Sequence, residues 1–387
     1  MPRPLNVAVI GCGMLARTQH VPNIARSAKT VLHTCCDVSD AALAECRERF
    51  GARHTTKDFR EAVRDPEVDM ICLAATERLR LPVIEAAAAA GKPVYVEKPL
   101  AKTLEEMYRI RGIVRQARIP FCVGHNRRSA PAMIEAHRLF RAHMTAPAPC
   151  PWRWDREGAN RPGVPGEGTA GMAVRINDDH WSWKANAYAE DVREYGPMLF
   201  EMTHFTDICN WFLAAEPLDV AALESGLLNS GVVIRYATGE VATIHLCANG
   251  TFGYMKELYE AMGNGGLVAV DHLLEVRTAG LEGARPRITF PMLGDRHPDV
   301  GREGGVSGWL AKKRAACAEA AAKGDNRLVL AAEPDKGHAR ALDRFVDEIR
   351  GDGPVVCGVD DAVAATRVAF AAVKSARERR MVPLAEV

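Results

Sequence analysis

The sequence lacks a surplus of charge of either sign. Its 387 residues include 50 Lys and Arg against 49 Asp and Glu, which gives a formal net charge of +1. Proteins that bind nucleic acid or anionic membranes use an excess of basic residues to attract phosphate. We therefore expect neither nucleic acid nor a membrane among the partners of this protein.

Long apolar runs and cysteine motifs are also lacking. No apolar stretch approaches the roughly 20 residues that cross a bilayer. The 11 cysteines are an odd number, without a Cys-x-x-Cys pair or zinc-like spacing. Several lie inside apolar runs, where a thiol packs as a small hydrophobic group. A cytoplasmic location, where thiols stay reduced, is the expectation.

The most informative stretch that is present runs from Asn6 to Ala16. An apolar strand leads into Gly11-Cys-Gly13-Met14-Leu15-Ala16, and a helix should follow. Gly11 permits a tight turn, Gly13 lets a pyrophosphate approach the main chain, and Ala16 still allows close helix packing. Unpaired N–H groups at the start of the helix would bind phosphate. The stretch predicts a dinucleotide site formed by Gly11, Gly13, Met14 and Leu15.

An acidic residue ends the second predicted strand. Asp37 follows Thr30 to Cys36, where a carboxylate accepts hydrogen bonds from the adenosine ribose. It would repel a 2′-phosphate, and Val38 and Ser39 provide no compensating arginine. NAD is therefore favoured over NADP. An ordinary surface aspartate after a βα turn is the alternative.

The chain changes character after about 125 residues. Before that point strands alternate with helices, which predicts a doubly wound parallel sheet of the Rossmann type. Thr76 and Glu97-Lys98-Pro99 follow successive strands there, at the edge where ligands of such sheets bind. Residues 126–387 predict a second α/β domain with a large open, mainly antiparallel sheet. Residues 145–171 are rich in Pro and Gly, and a loop of that length is usually a lid, a partner arm or disordered. We expect a lid-like insertion at about 145–185.

Two local patterns support the second domain. Gly231 to Leu246 alternates between apolar and polar residues and has a turn at Thr238-Gly239, which predicts a β-hairpin. Near the C-terminus, apolar residues at helical spacing predict an amphipathic helix. These apolar residues are Leu342, Phe345, Val346 and Ile349.

Taken together, these motifs resemble the glucose–fructose oxidoreductase, inositol dehydrogenase and rhizopine catabolism (Gfo/Idh/MocA) family. The resemblance extends over essentially the whole chain and is carried by the glycine turn, Asp37, Ala75-Thr76, Glu97-Lys98-Pro99 and His204-x-x-Asp207. It implies a Rossmann domain, a C-terminal α/β domain, bound NAD(P), and redox chemistry at a carbon of a sugar, cyclitol or related polyol. It also implies a homo-oligomer, a dimer or tetramer, formed through the open sheet.

The resemblance implies catalytic roles for Lys98 and His204. The Lys98 ammonium would bind the reacting oxygen and stabilise alkoxide charge, and His204 would accept the hydroxyl proton. Lys98 could instead pair with a surface carboxylate, and His204 could be a core histidine. Phe200 stands where many family members carry an aspartate. Glu201, on the same helix face as His204, is therefore assigned the supporting carboxylate role.

The resemblance also implies further binding residues. Thr76, Glu97, Lys98 and Asn126 are expected at the cofactor, and Asn126 also at the substrate, with Lys98 and His204. Arg127 and its neighbour Arg128 could bind an anionic group, cap the preceding elements, or lie in solvent. The faces of Trp181 and Trp183 could bind sugar C–H groups, or these residues could pack in the core or at a subunit contact.

No metal is expected. The pattern Glu201-x-x-His204 could hold two ligands, but no third ligand of matching spacing accompanies it. Asp178-Asp179-His180 is a second candidate, and adjacent residues rarely converge on one ion.

Arg80 is a further departure from the family pattern, which often has histidine at this position.

The sequence thus predicts an NAD-dependent dehydrogenase that oxidises a ring secondary alcohol of a sugar, aminosugar, glycoside or cyclitol. One alternative is an enzyme that cleaves glycosides through transient oxidation at C3 and recycles its NAD. Another is a non-catalytic sugar or nucleotide sensor on the same fold. The presence of both Lys98 and His204 favours an enzyme.

Overall fold

The computed structural model describes residues 2–145, 170–179, 198–225, 229–250, 255–293, 298–324 and 333–387. The chain divides into two compact units. The first comprises Met1–Ser129 and Gly337–Thr366, and the second comprises Ala130–Lys336 and Arg367–Val387. No helix in the described part of the chain is both long and apolar enough to cross a bilayer.

The first unit is built on a six-stranded parallel sheet with the strand order β3-β2-β1-β4-β5-β6. Starting from β1, the chain first adds β2 and β3 on one side and then β4, β5 and β6 on the other, which makes the sheet doubly wound. The predicted Rossmann sheet is confirmed. Its strands are β1 (Leu5–Ile10), β2 (Thr30–Cys36), β3 (His54–Thr56), β4 (Met70–Leu73), β5 (Val94–Val96) and β6 (Phe121–Val123).

Helices connect these parallel strands, because a parallel pair cannot be joined by a tight turn. Ser39, Asp58 and Thr103 cap three of them, each accepting a hydrogen bond from a main-chain N–H of the first turn. A short helix, Ala16–His20, follows the glycine turn. The others are α1 (Val21–Arg26), α2 (Asp40–Phe50), α3 (Phe59–Arg64), α4 (Glu77–Ala89) and α5 (Leu104–Ala117).

A C-terminal segment, Gly337–Thr366, packs with the first unit, whereas the sequence prediction placed it in the second domain. It contains α9 (His338–Arg350), whose buried apolar face includes Phe345. The ring of Phe345 lies 6.1 Å from that of Tyr95 on β5. Asp347 also accepts a 2.6 Å hydrogen bond from Nζ of Lys29. The amphipathic pattern predicts the helix but does not show which core will bury its apolar face.

The second unit contains a nine-stranded sheet with the order β14-β13-β12-β11-β7-β10-β9-β8-β17. All neighbours are antiparallel except β7 and β10, so the predicted large, mainly antiparallel sheet is confirmed. Its strands are β7 (Ala170–Asp179), β8 (Pro217–Glu224), β9 (Asn229–Tyr236), β10 (Val241–Gly250), β11 (Glu257–Gly263), β12 (Gly266–Asp271), β13 (Glu275–Ala279), β14 (Arg287–Thr289) and β17 (Val382–Pro383).

The predicted hairpin is formed by β9 and β10, in which Ile234 pairs with Ala242. Residues alternate between buried and exposed along β9, as expected for a strand with one buried face. A small separate sheet pairs β15 (Met292–Leu293) with β16 (Glu333–Pro334).

Helices pack against one face of the large sheet. Phe140, Phe205 and Val368 each belong to a different helix and share one core with strand residues such as Ile234 and Tyr259. The helices of the unit are α6 (Pro131–Thr145), α7 (Met202–Leu213), α8 (Pro298–Ala322) and the C-terminal part of α10 (Val359–Glu378). On the opposite face, which we call the open face, side chains such as Val233 of β9 and Val241 of β10 are exposed.

Candidate active site

The glycine turn has the geometry that its two glycines predict. Gly11 has φ +89°, and a Cβ atom there would lie 2.4 Å from the main-chain nitrogen of Ala75, just beyond β4. Only glycine fits this position, since both the backbone angle and the space exclude a side chain. At Gly13, by contrast, a Cβ atom would have no described atom within 4 Å. The turn therefore leaves its main chain open to a ligand at Gly13.

Asp37 contacts the glycine turn directly. Its Oδ2 accepts a 2.7 Å hydrogen bond from the main-chain N–H of Cys12, and its Oδ1 accepts one of 2.9 Å from Ser39. These bonds fix the orientation of the carboxylate at the carboxyl end of β2. The structure thus brings together the two parts of the predicted dinucleotide motif. Met14 and Leu15 beside them are 79% and 41% exposed, so both are available for contact with a bound molecule.

Glu97 is buried at the end of β5. Its Oε1 lies 2.7 Å from Nε2 of His20, and its Oε2 accepts a hydrogen bond of 3.2 Å from the main-chain N–H of Lys98. Burial by itself would raise the pKa of Glu97, but the hydrogen bond and charge of His20, with the charges of His338 and Lys98, lower it to about 2. The carboxylate is therefore ionised at neutral pH and holds the main chain at Lys98.

Gly124 is necessary for this arrangement. It follows β6, and a Cβ atom there would lie only 2.8 Å from Oε1 of Glu97. The sequence prediction missed both His20 and Gly124. The glycine directly after an apolar strand was the available signal for Gly124, whereas nothing local distinguishes His20.

Arg80 is a second anchor for the Lys98 segment. Its guanidinium is buried, lies 3.4 Å from Oε1 of Glu77, and donates a hydrogen bond of 3.2 Å to the main-chain oxygen of Lys98. Lys102 lies 3.6 Å from the other Glu77 oxygen. Arg80 therefore fixes the strand end that carries Lys98. The spacing of Glu77 and Arg80 on one helix face was the available sequence signal for this contact.

Thr76, at the N-terminus of α4, is exposed.

Asn126, Arg127 and Arg128 form a short 3₁₀ helix after β6 with Ser129, and all are buried. The solvent-exposed alternative for the two arginines is wrong, since Arg127 is 4% and Arg128 is 6% exposed. Nη1 of Arg128 donates a 3.3 Å hydrogen bond to the main-chain oxygen of Val356. Arg128 therefore anchors the C-terminal segment of the first unit.

His204 lies in the first turn of α7, in the second unit. Its side chain is buried, and its main-chain N–H donates to the main-chain oxygen of Glu201 at 3.2 Å. The Glu201 carboxylate is held by Lys256, whose Nζ lies 2.8 Å from Oε1 of Glu201 and 2.9 Å from Oδ2 of Asp178. Two buried carboxylates thus share one ammonium group next to the helix that carries His204.

Lys256 was missed by the sequence prediction. It precedes β11 and is 55 residues from Glu201 in sequence, so no local spacing relates the two. Trp181, Trp183 and most of the segment at 145–185 lie outside the described residues.

Comparison with known proteins finds a family match for the first unit and similar proteins for the whole chain. Residues 5–125 match the GFO_IDH_MocA family model, described as an oxidoreductase family with an NAD-binding Rossmann fold. These residues of the first unit are therefore similar to the NAD-binding domain of the Gfo/Idh/MocA oxidoreductases. The chain is 23% identical over 99% of its length, and over 99% of the relative, to the myo-inositol 2-dehydrogenase of Thermotoga maritima.

Two solved structures show the same fold as this chain. One is a levoglucosan dehydrogenase in complex with NADH and levoglucosan, with a TM-score of 0.71, 19% identity, and coverage of 98% of this chain and 99% of that one. The other is the Lactobacillus casei scyllo-inositol dehydrogenase with bound NAD(H) and scyllo-inositol, with a TM-score of 0.69, 16% identity and 99% coverage of both chains. The first unit is an NAD-binding Rossmann domain.

Proposed function

We propose that the protein is an NAD-dependent dehydrogenase that oxidises a ring secondary alcohol of a sugar, aminosugar, glycoside or cyclitol. The observation that carries the proposal is the strand end at Lys98, which the buried Glu97–His20 pair and Arg80 hold by its main-chain N–H and oxygen. A lysine fixed this firmly at the ligand-binding edge of a Rossmann sheet suits a reaction that needs a precisely placed positive charge. Relatives named for inositol and levoglucosan support the substrate class.

The described residues fit NAD. The open main chain at Gly13 accommodates a pyrophosphate, Met14 and Leu15 flank it, and Asp37 would accept hydrogen bonds from the ribose hydroxyls. Thr76, Glu97 and Asn126 are assigned the nicotinamide side of the site. When bound, NAD supplies the ring carbon that accepts hydride.

The residues of the chain then have distinct roles. The Lys98 ammonium donates a hydrogen bond to the substrate oxygen and stabilises the negative charge that develops there. His204 accepts the hydroxyl proton, for which an imidazole is suited near neutral pH. Glu201, fixed by Lys256, holds the first turn of α7 and thereby the position of His204. We assign Asn126, Arg127, Trp181 and Trp183 to the substrate pocket.

The test is a screen of the purified protein with NAD and NADP against inositols, hexoses, aminosugars and glycosides, followed by NADH absorbance. We expect net NADH with at least one of these classes and a loss of at least about 100-fold in kcat for Lys98→Met, with NAD affinity retained. Lys323→Met, on the exposed surface just after the C-terminal end of α8, is the matched control.

The outcomes separate the alternatives. A Lys98→Met variant with the rate of the wild type would remove the assignment. Cleavage of a glycoside without net NADH, by protein that retains NAD through purification, would indicate the C3-oxidation alternative. Saturable sugar binding without any turnover would indicate a sensor.

We further propose that the protein forms a homo-oligomer, a dimer or tetramer, through the open face of the nine-stranded sheet. This face carries exposed apolar side chains and a groove of about 730 Å³ lined by Arg175, Glu260 and Leu223 among others. Opposite charges on one surface can pair across a two-fold axis. The exposed apolar residues on the face are Leu223, Val233, Val241 and Met262.

Sedimentation analysis tests the oligomer. We expect a dimer or tetramer for the native chain and a shift toward monomer for the double variant Leu223→Glu/Val233→Glu, with Leu79→Glu, an exposed position in the first unit, as the control. A monomeric native protein would refute the interface.

We also propose a cytoplasmic location, since none of the ten described cysteines forms a disulfide.

A further inference from the structure

A group of potential metal ligands lies in the first unit, apart from the residues assigned to NAD. His33 is on β2, His54 begins β3, and Glu67 lies in the loop between α3 and β4. One ligand atom from each of the three falls within 4.8 Å of the others. His33 and His54 lie before the carboxyl ends of β2 and β3, and Glu67 lies before β4. Asp37 and the glycine turn instead follow the carboxyl ends of their strands.

The distances suit a small divalent ion. Zinc binds imidazole nitrogen and carboxylate oxygen at roughly 2.0–2.2 Å with tetrahedral geometry, which places neighbouring ligand atoms about 3.3 Å apart. Nε2 of His33 lies 3.5 Å from Oε2 of Glu67, close to that separation without any rearrangement. The ring centroids of His33 and His54 are 4.8 Å apart. His54 and Glu67 are exposed, so their side chains can complete the geometry by rotation.

His33 is already oriented for this role. Its side chain is only 2% exposed, and its Nδ1 lies 2.9 Å from Oγ1 of Thr34 and 3.8 Å from Oδ2 of Asp65. With Nδ1 engaged on this side, Nε2 faces Glu67. Histidines that bind metals characteristically use one ring nitrogen for the ion and the other for a hydroxyl, carbonyl or carboxylate that fixes the ring.

The charge of the site also favours a cation. Asp65 and Glu67 are both acidic, and two neutral imidazoles add donors without adding charge. The Lys92 ammonium donates to the main-chain oxygens of Asp65 and Val68, so a divalent ion would share the charge of these two carboxylates with it. The ligand set of two imidazoles and a carboxylate favours zinc and similar transition ions over magnesium or calcium, which prefer oxygen ligands.

We propose that His33, His54 and Glu67 bind a divalent transition ion of the zinc type, with Thr34 and Asp65 orienting His33. The ion links the edge strand β3 to β2 and to the loop before β4. Its role is structural, and it takes no part in hydride transfer. The proposal is independent of the proposed dehydrogenase activity.

The test uses the full-length protein freed of metal by a chelator and titrated with Zn²⁺ in a calorimeter. We expect one equivalent bound per chain at this site and a rise in Tm on binding. His54→Ala and Glu67→Gln should each weaken binding by at least about tenfold. Glu48→Gln, an exposed glutamate on α2 in the same unit, is the matched control and should bind as the native protein does.

Co²⁺ distinguishes these ligands from cysteine. Cys12, Cys35 and Cys46 also lie close together in this unit, and their thiolates would give a strong near-ultraviolet charge-transfer band. We expect the Co²⁺-loaded protein to show ligand-field absorption and no thiolate band. His54→Ala should abolish the ligand-field absorption. Three outcomes would each overturn the proposal. The native protein does not bind the ion, His54→Ala and Glu67→Gln bind it as tightly as the native protein does, or a thiolate band survives in both variants.

Discussion

Oε1 of Glu97 lies 2.7 Å from Nε2 of His20, although the two residues are 77 positions apart in the sequence. Both side chains are buried, and the same carboxylate binds the main-chain N–H of Lys98. The pair therefore connects the helix that follows the glycine turn to the strand end that carries Lys98. In the first unit it relates the predicted cofactor motif to the predicted catalytic lysine.

This pair makes stability depend on acid pH. The pKa of Glu97 falls from its ordinary value of 4.5 to about 2 on folding, so the unfolded chain binds more protons between these values. The contribution of Glu97 is present above pH 4.5 and is lost as pH falls toward 2. Urea unfolding across this range should show a flatter dependence in Glu97→Gln than in the native protein. Parallel profiles would contradict the expectation.

Gly124 tests how closely Glu97 is fitted. Because a Cβ atom would lie 2.8 Å from Oε1 of Glu97, Gly124→Ala should cost about 1–3 kcal/mol of unfolding free energy and lower kcat by moving Lys98. Gly112→Ala is the control, since no described atom lies within 4 Å of its Cβ position in α5. That substitution should be neutral or stabilising by about 1 kcal/mol. The same response in both variants would contradict the prediction.

The two glycines of the turn should respond differently. Gly11→Ala requires alanine to adopt a positive φ and places its Cβ 2.4 Å from the main-chain nitrogen of Ala75. We therefore expect it to lower both Tm and NAD affinity. Gly13→Ala meets no described atom, so it should keep the native Tm and weaken NAD binding by at least about tenfold, or about 1.4 kcal/mol. Calorimetry with NAD and a thermal melt of each variant make the comparison. Unchanged NAD affinity in Gly13→Ala would place the pyrophosphate elsewhere.

Asp37 should determine the preference for NAD. Its carboxylate is fixed by the N–H groups of Cys12 and Ser39 and would repel a 2′-phosphate. We expect Asp37→Ser to weaken NAD and to reduce the discrimination against NADP by about tenfold or more. Dissociation constants for both dinucleotides check this. A preference that does not change would show that another group reads the ribose.

Lys256 should be important for the stability of the second unit. Lys256→Met leaves the buried carboxylates of Asp178 and Glu201 without their shared ammonium, and loss of one member of a buried ion pair costs about 3–5 kcal/mol. Lys256→Arg keeps the charge and should restore most of the unfolding free energy, measured by urea denaturation. If Met and Arg were equivalent, the ion pairs would contribute nothing measurable to stability.

Neighbouring residues were enough to predict some features. Gly11 and Gly13 directly follow an apolar strand, and the alternation along β9 and β10 matches a sheet with one buried face. Both are local patterns, because backbone angles and the period of side-chain burial are set by residues close in sequence. The roles of Lys98 and His204 came from the family resemblance and stay predictions.

By itself, then, the sequence determined the glycine turn, the Rossmann alternation and the antiparallel character of the second sheet. Only the tertiary structure decided that His20 pairs with Glu97, that Lys256 joins Asp178 to Glu201, and that Gly337–Thr366 packs with the first unit. The physical reason is that burial leaves a charged or apolar group in need of a partner without specifying which one. The partner is fixed only when strands and helices distant in the chain come together.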